Sequence, residues 1–352
     1  MAITSLPVKC FSSNIPDVVI TTAMTRAHVV IAVDGTEIYD EYLTPFAAKI
    51  TLTELCNLLQ VYARQSLVAN VTITATEQNV ATDGTVTAGN TWTASTQLIY
   101  CAASIDIDAS LFCERYFLSL LLGGTKVTAS GRLEYVHYIG SESCSVDAHY
   151  TDGTTASFTG TKIAGNNNYS TVDVSPDKFK TTGKTLDWYM VTAGNRRQRF
   201  EMDFTDPDCA PILIFDNSFG VQELVYCLGT HTVDPNYERS SAWISGRLSN
   251  YQIEETRVFR ADTGPLNTPM ANWLDELFRS PEIYIVNIYD GAAQIRTDME
   301  VVITESKSER TNDHDFIPRF TFSYQYAKRN HNKLDFSRAG RIFDNTFDAT
   351  FN

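Results

Sequence analysis

The chain has 352 residues, which is more than one ordinary core usually holds and predicts two or three domains. With 43% hydrophobic residues it has ample material for folded cores, which excludes a disordered protein. It contains 28 Lys and Arg against 42 Asp and Glu, which gives a formal net charge of −14, and it has no long basic runs. This argues against a nucleic-acid-binding protein, because clustered cations are needed to neutralise phosphates.

The N-terminus and the cysteines predict a protein that is made in a reducing compartment. The first ten residues lack a basic start followed by an apolar core, so they do not resemble a signal peptide. No run of about 18 apolar residues predicts a membrane helix. The seven cysteines are scattered without a CxxC pair, so we expect small buried side chains rather than a zinc or redox site.

The N-terminal third is predicted to contain a hairpin and the best helix of the chain. Asp34-Gly35 separates two β-rich runs, which is a strong hairpin signal because both turn positions need a positive φ. Leucines at three- and four-residue spacing predict a helix over residues 51–65, with Thr51 and Glu54 as its capping box.

The middle of the chain has short segments separated by turns. Residues 81–96 are rich in Thr and Gly and are predicted as a hairpin tip or loop, and residues 110–122 fit either a strand or a short helix. From Gly131 onward, strand-sized segments recur at 8–12-residue spacing, which favours a β-sandwich over alternating strands and helices. Two prolines within residues 205–211 mark a boundary.

Beyond this boundary the pattern is that of another β unit with one helix. Residues 241–253 and 255–261 are predicted as a long strand pair of alternating polarity. Pro269 in the first turn of an amphipathic segment predicts a helix over residues 269–279. From His331 onward the alternation is lost, which predicts an extended arm.

These segments together predict a mainly β fold of two or three β-sandwich-like domains, with two or three short helices and an extended C-terminal arm. The predicted division is an N-terminal β domain with one helix at 1–125, a middle β-meander region at 126–210, a C-terminal β domain at 211–330 and the arm at 331–352.

No segment has the spacing of a familiar catalytic or cofactor motif, and no catalytic residue or cofactor is predicted. Two pairs of carboxylates are weak candidates for a hard cation. Asp106 and Asp108 would share one face of a strand, and a solvated sheet face is the alternative. Asp313 and Asp315 are predicted to lie in a turn, where ordinary turn chemistry is the alternative.

The basic segment Arg196-Arg197-Gln-Arg199 stands out in this acidic chain. It follows Gly194-Asn195, which predicts a hairpin turn, so the arginines begin a hairpin arm. We expect a salt-bridging or subunit-contact surface there rather than a phosphate site.

Short strand and turn signatures are distributed over most of residues 115–328. They are Phe117-Leu118-Ser119, Lys126-Val127-Thr128, Leu133-Glu134-Tyr135, Tyr150-Thr151-Asp152-Gly153, residues 215–220 with Gln222-Glu223, Arg239-Ser240-Ser241, and residues 273–281, 301–306 and 320–327. Together they resemble virion structural proteins, as tail or neck components, of bacteriophages that infect Bacteroidetes, including crAss-like phages. The resemblance implies β-domains that assemble into a symmetric ring or tube in the host cytoplasm, and it transfers no catalytic residue.

Apolar side chains in the C-terminal arm are predicted to contact a partner. Phe343, Phe347 and Phe351 are four residues apart, so a helix would present them on one face. An extended arm would instead use Phe336, Ile342 and Phe347 as anchors. The alternative is an arm that packs on its own domain or frays.

The predicted function is that of a virion structural protein that forms a homo-oligomer and docks to other virion proteins, with no membrane partner and no sequence-specific nucleic acid. The alternative is a β-sandwich module that binds a glycan or another polymer through Trp92, Trp188 or Trp243 as stacking platforms. A hydrolase is a distant third.

Removal of residues 335–352 is expected to leave a folded protein that assembles more weakly, because the arm supplies apolar anchors rather than core. Light scattering measures the particle size, and thermal unfolding checks the fold. An unchanged oligomer size would contradict the role of the arm.

Overall fold

The computed structural model describes residues 2–205, 209–289, 292–307 and 316–328. This part of the chain is mainly β, with several sheets and three α-helices, which confirms the predicted multi-domain β-sandwich-like fold class. None of the helices within these ranges is long and apolar enough to cross a membrane. The predicted arm lies outside the described residues.

The N-terminal part is a sandwich of two sheets with one helix. Its elements are β1 (Ala2–Ile3), β2 (Lys9–Phe11), β3 (Val18–Thr21), β4 (Arg26–Val33), β5 (Thr36–Leu43), β6 (Lys49–Leu52), α1 (Leu55–Ser66), β7 (Val68–Val80) and β8 (Val86–Ile99). One sheet has the order β2-β8-β7-β4-β5 and the other β1-β3-β6. Alternate side chains such as Val29 and Ile73 from the first sheet and Ile20 from the second share a core with Leu59 of α1.

The helix predicted at 51–65 exists, but its predicted start is wrong. Thr51 lies in β6, and α1 begins at Leu55. Glu54 precedes the helix with a φ of 54° and makes no capping hydrogen bond from its side chain. Pairing of β6 with β3 buries Ile50 and Leu52, and this burial outweighs the local capping signal.

The other N-terminal turn predictions had mixed outcomes. The hairpin at Asp34-Gly35 is confirmed, with φ values of 48° and 83° between β4 and β5. Of residues 81–96, which were predicted as a hairpin tip or loop, residues 81–85 form the tip between β7 and β8, whereas the rest lies in β8 and pairs with β7. Hydroxyl groups join these Thr-rich strands, with Thr76 Oγ1 and Thr91 Oγ1 2.8 Å apart.

The middle part is a second two-sheet sandwich. Its elements are α2 (Ala109–Arg115), β9 (Thr125–Thr128), β10 (Tyr135–Ile139), β11 (Cys144–Tyr150), β12 (Thr155–Thr159), β13 (Thr161–Gly165), β14 (Tyr169–Asp173), a 3₁₀ turn (Pro176–Phe179), β15 (Leu186–Ala193) and β16 (Arg196–Met202). The sheets have the orders β12-β11-β15-β16-β9 and β10-β14-β13. Val146, Tyr189 and Phe200 of the larger sheet share a core with Val136 and Val172 of the smaller one.

The C-terminal part is one antiparallel sheet covered by a helix. Its elements are β17 (Ile212–Asp216), β18 (Gln222–Tyr226), β19 (Thr232–Ile244), β20 (Arg247–Asp262), α3 (Thr268–Arg279), β21 (Ile283–Tyr289), β22 (Ala292–Lys307) and β23 (Thr321–Tyr326). The strand order is β18-β17-β21-β22-β23-β20-β19. The helix predicted at 269–279 is confirmed, and its N-cap Asn267 accepts a hydrogen bond from Met270 N at 2.9 Å. Trp273, Leu274 and Leu277 bury its inner face.

A smaller aromatic core connects all three parts. Phe11 of the N-terminal part and Phe112 of α2 in the middle part have ring centroids 5.6 Å apart. Phe219 lies 5.1 Å from Phe112, and Ile139 of the middle sandwich belongs to the same core. Because this core takes residues from both sides of the predicted boundaries, the division into separate domains stays a prediction.

A buried ion pair of the middle part lies where that part meets the C-terminal part. Lys126 Nζ lies 2.7 Å from Glu134 Oε2, and the two side chains are only 7% and 1% exposed. The same ammonium lies 4.6 Å from the centre of the Trp273 ring, and Trp273 Nε1 donates to Glu223 Oε2 at 2.8 Å. Burial raises the pKa of the Glu223 carboxyl group. The positive charge of Lys126 and the hydrogen bonds that Glu223 accepts act in the opposite direction but do not cancel this effect.

The variant Lys126→Met is expected to lower the free energy of unfolding by about 3–5 kcal/mol, because it leaves the Glu134 carboxylate buried without a counter-charge. Urea denaturation followed by tryptophan fluorescence measures the loss. The double variant Lys126→Met with Glu134→Leu is expected to recover most of it. An exposed pair provides the control, since Arg64→Met in the 3.2 Å pair with Glu282 is expected to cost about 1 kcal/mol or less. A double variant that is as unstable as the sum of its single variants would contradict the pairing.

Candidate interaction surface

The hairpin of β19 and β20 projects from the C-terminal sheet. Only the end of β20, from Phe259 to Asp262, pairs with β23, so residues 247–258 pair with β19 alone. At the usual rise per residue this free length is on the order of 35–40 Å. No residue between Thr232 and Val258 is buried, on either face of the ribbon.

The free hairpin has one face that carries most of its large apolar side chains. Trp243 lies directly opposite Leu248, and the same face carries Tyr237 and Ile253 farther from the turn. These four side chains are 74%, 61%, 41% and 48% exposed, respectively. A β-bulge opposite Ser240 and Ser241 adds one extra residue, Tyr251, to β20, and beyond it Ile253 lies opposite Arg239 on this same face. Polar pairs such as Ser241 with Asn250 separate the large apolar side chains, but a group of large exposed apolar side chains on one face is typical of an interaction site.

The end of the hairpin differs in charge from the rest of the chain. From Arg239 to its partner Ile253 there are two cations, Arg239 and Arg247, and no anion, so this segment has a net charge of +2 in a chain of −14, and Glu238, Glu254 and Glu255 follow on the side of the base. The Arg239 guanidinium lies 5.2 Å from the centre of the Tyr237 ring, on the apolar face. The hairpin end therefore combines apolar side chains with positive charge, and it suits an acidic partner surface.

The base of the hairpin is held firmly in the core. Phe259 stacks on Tyr324 of β23 with ring centroids 4.9 Å apart, and it meets Tyr326 edge-on. His231 Nε2 lies 2.9 Å from the Tyr324 hydroxyl. Burial lowers the pKa of His231, so the neutral ring is favoured in this contact. The hairpin thus leaves the sheet from a fixed base.

The predicted basic surface at residues 196–199 is divided by the alternation of β16. Arg196 faces inward, is 3% exposed and donates from Nη2 to the Ile139 carbonyl at 2.6 Å. Arg196 Nη1 also lies 3.5 Å from Glu142 Oε1, as the salt-bridging alternative predicts, and its burial leaves no surface for a partner in the folded subunit. Arg197 is exposed, and Arg199 pairs with Glu201 at 3.0 Å. For Arg197 and Arg199 a partner contact stays a prediction.

The three predicted stacking tryptophans differ in their surroundings. Trp188 stacks on His149 with ring centroids 3.6 Å apart, and the Arg199 guanidinium lies 4.2 Å from its ring centre. Trp92 is half-buried on β8. Trp243 has the most exposed ring of the three.

The first predicted cation pair does not form on a strand. β8 ends before this segment, and Asp108 Oδ1 accepts a hydrogen bond from Leu111 N at 2.9 Å as the N-cap of α2. The expected common face of Asp106 and Asp108 is therefore wrong. Asp313 and Asp315 lie outside the described residues, within which no group of three or more His, Cys, Asp or Glu side chains is placed to hold a metal.

The predicted contact residues of the arm also lie outside the described residues. They are Phe336, Ile342, Phe343, Phe347 and Phe351.

No family model, curated protein or solved structure matches this chain.

The hairpin end is the candidate interaction element that the sequence pattern did not predict. The single strand expected over residues 241–253 is wrong, because Ser245 and Gly246 have φ values of 52° and 76° and form a two-residue turn. A Ser-Gly dipeptide between two alternating runs was the available signal. Its effect is to place Leu248 opposite Trp243.

The double variant Trp243→Ser with Leu248→Ser is expected to change the free energy of unfolding by no more than about 1 kcal/mol, because neither side chain contacts a core. Differential scanning calorimetry measures the change. Trp273→Ala is the matched control, and it is expected to cost about 3–5 kcal/mol because this ring is 1% exposed. A comparable loss in the double variant would show that the hairpin end packs within its own subunit.

Proposed function

We propose that this protein is a structural subunit of a bacteriophage virion, a tail or neck component, which self-associates into a symmetric homo-oligomer and docks to other virion proteins. Two observations support the proposal. The strand and turn signatures of residues 115–328 resemble such proteins. The β19–β20 hairpin offers an apolar face that the subunit itself leaves uncovered.

The hairpin is the observation that carries self-association. Complete burial of a large apolar side chain contributes about 1.5–3 kcal/mol, so its four aligned side chains supply a substantial part of an interface. Association also has an entropic cost of about 4–15 kcal/mol. A hairpin held at its base loses little further freedom on docking, which lowers this cost.

The charge distribution favours a second copy of the chain as the partner. The hairpin end, residues 239–253, has a net charge of +2, whereas the rest of the chain is strongly acidic. Docking of the hairpin onto a different, acidic surface of the next copy is a heterologous contact. Repeated contacts of this type close into a ring when the rotation between copies permits it. The proposed role requires no catalytic group, and assembly would take place in the host cytoplasm.

A second candidate function is binding of a glycan or another polymer, and the exposed ring of Trp243 favours it. Sugar recognition also needs polar groups placed around the aromatic platform. On its own face Trp243 has the aliphatic Leu248 opposite it and the polar pair Ser241 and Asn250 next along the hairpin. The aliphatic and aromatic side chains on this face, Leu248, Tyr237 and Ile253, favour a protein contact.

The proposal predicts that the wild-type chain forms a discrete high-order oligomer and that Trp243→Ser with Leu248→Ser shifts it toward the monomer. The reason is loss of the paired apolar side chains at the hairpin end. Native mass spectrometry measures the masses, and electron microscopy shows the symmetry. Val61→Ser on α1 is the matched control. The Val61 side chain is 61% exposed, as is that of Leu248, but it lies in another part of the chain.

A wild-type chain that stays monomeric at high concentration would overturn the assembly role, and so would a double variant with unchanged mass. A monomer that binds a glycan through Trp243 would establish the second candidate instead. Mass spectrometry of purified phage particles tests the virion assignment separately.

A further inference from the structure

A cavity of about 130 Å³ lies between the middle sandwich and the C-terminal sheet. β9, β18 and α3 form its walls. Its lining is largely apolar and includes Leu266, Met270 and Trp273, but two cations, Lys126 and Arg132, also reach it. Apolar cavities with a few convergent polar groups, between packed units of a protein, are typical ligand sites.

Arg132 is the unusual member of this lining, because a buried guanidinium normally has a carboxylate partner. The residue is 6% exposed. Its Nη2 donates to the Cys209 sulfur at 3.5 Å, and its guanidinium carbon lies 4.9 Å from the centre of the Tyr226 ring. A thiol and a ring face are weak partners for a full positive charge. Within the described ranges no carboxylate oxygen comes within 4.0 Å of it.

Among the described residues, the acidic groups Asp203 and Glu134 near the cavity are already engaged. Asp203, which also lines the cavity, accepts hydrogen bonds at Oδ1 from the Thr205 backbone at 2.9 Å and from its hydroxyl at 2.7 Å. Burial acts to raise the pKa of Asp203, but these hydrogen bonds and the charge of Arg132 lower it. Glu134 pairs with Lys126. Arg132 therefore supplies positive charge to the cavity that no contacting carboxylate of the described chain neutralises.

The size and the lining together define the ligand. An apolar cavity of about 150 Å³ holds benzene, so this cavity fits a ring or a short branched chain of similar size. A carboxylate is the group that matches a guanidinium with two parallel hydrogen bonds. The geometry points to a binding site for a small monocarboxylate with an apolar body, its acid group on Arg132 and its body against Leu266, Met270 and Trp273. This site is independent of the proposed assembly role.

Benzoate is the probe, and benzyl alcohol is its neutral counterpart. The full chain is labelled at its methionine ε-methyl groups, because Met270 lines the cavity and is one of only six methionines. Benzoate is expected to shift the Met270 methyl resonance saturably and to bind more tightly than benzyl alcohol. The variant Arg132→Gln is expected to weaken benzoate about tenfold or more and to leave benzyl alcohol unchanged.

Two further variants keep the test decisive. Arg197→Gln removes an exposed arginine and is expected to leave benzoate affinity unchanged. Leu266→Phe adds volume to the cavity lining and is expected to weaken the binding of both benzoate and benzyl alcohol. This variant still tests the site if Arg132→Gln does not fold. The inference is overturned if benzoate gives no saturable shift of Met270, or if Arg132→Gln binds it as tightly as the wild type. Oligomer mass is a separate readout, so either proposal can fail without the other.

Discussion

The buried charge of Lys126 is the constraint on which the meeting of the middle and C-terminal parts depends. Its ammonium pairs with Glu134 at the start of the smaller middle sheet and donates to the Leu224 carbonyl of β18 at 3.4 Å. It also faces the Trp273 ring of α3. A buried ammonium is unfavourable unless all its partners are present, so these elements must come together in one arrangement. That arrangement also creates the cavity beside Arg132, since Lys126 and Trp273 form part of its wall.

The parts of the fold that could be predicted from sequence are those whose signals are local and complete. The helix at α3 has its N-cap, its early proline and its apolar periodicity within one segment, and the hairpin at Asp34-Gly35 depends on two turn residues. The start of α1 could not be predicted in this way. Thr51 pairs with Val19 on β3, a partner that is distant in sequence and that no local pattern reveals.

The interaction surface and the cavity show the same division between local and distant information. Trp243 was identifiable as a candidate aromatic from sequence, but its exposure depends on where β20 leaves the sheet. Arg196 and Arg197 are chemically alike in the sequence, and only the phase of β16 separates a buried side chain from an exposed one. Nothing in the sequence pattern indicates the cavity, because Arg132 and Met270 are far apart in the chain.

A firm base and a free end make the β19–β20 hairpin mechanically suited to joining subunits. Phe259 and Tyr324 hold its base through stacked aromatic rings, whereas Trp243 at its end remains largely exposed. Because the hairpin is already ordered, docking immobilises few additional groups. A larger share of the free energy gained by burying its apolar side chains therefore contributes to the binding affinity. The acidic remainder of the chain keeps separate copies apart by repulsion at long range. The basic, apolar hairpin end reverses that repulsion locally, so that copies attract one another in one orientation rather than in many.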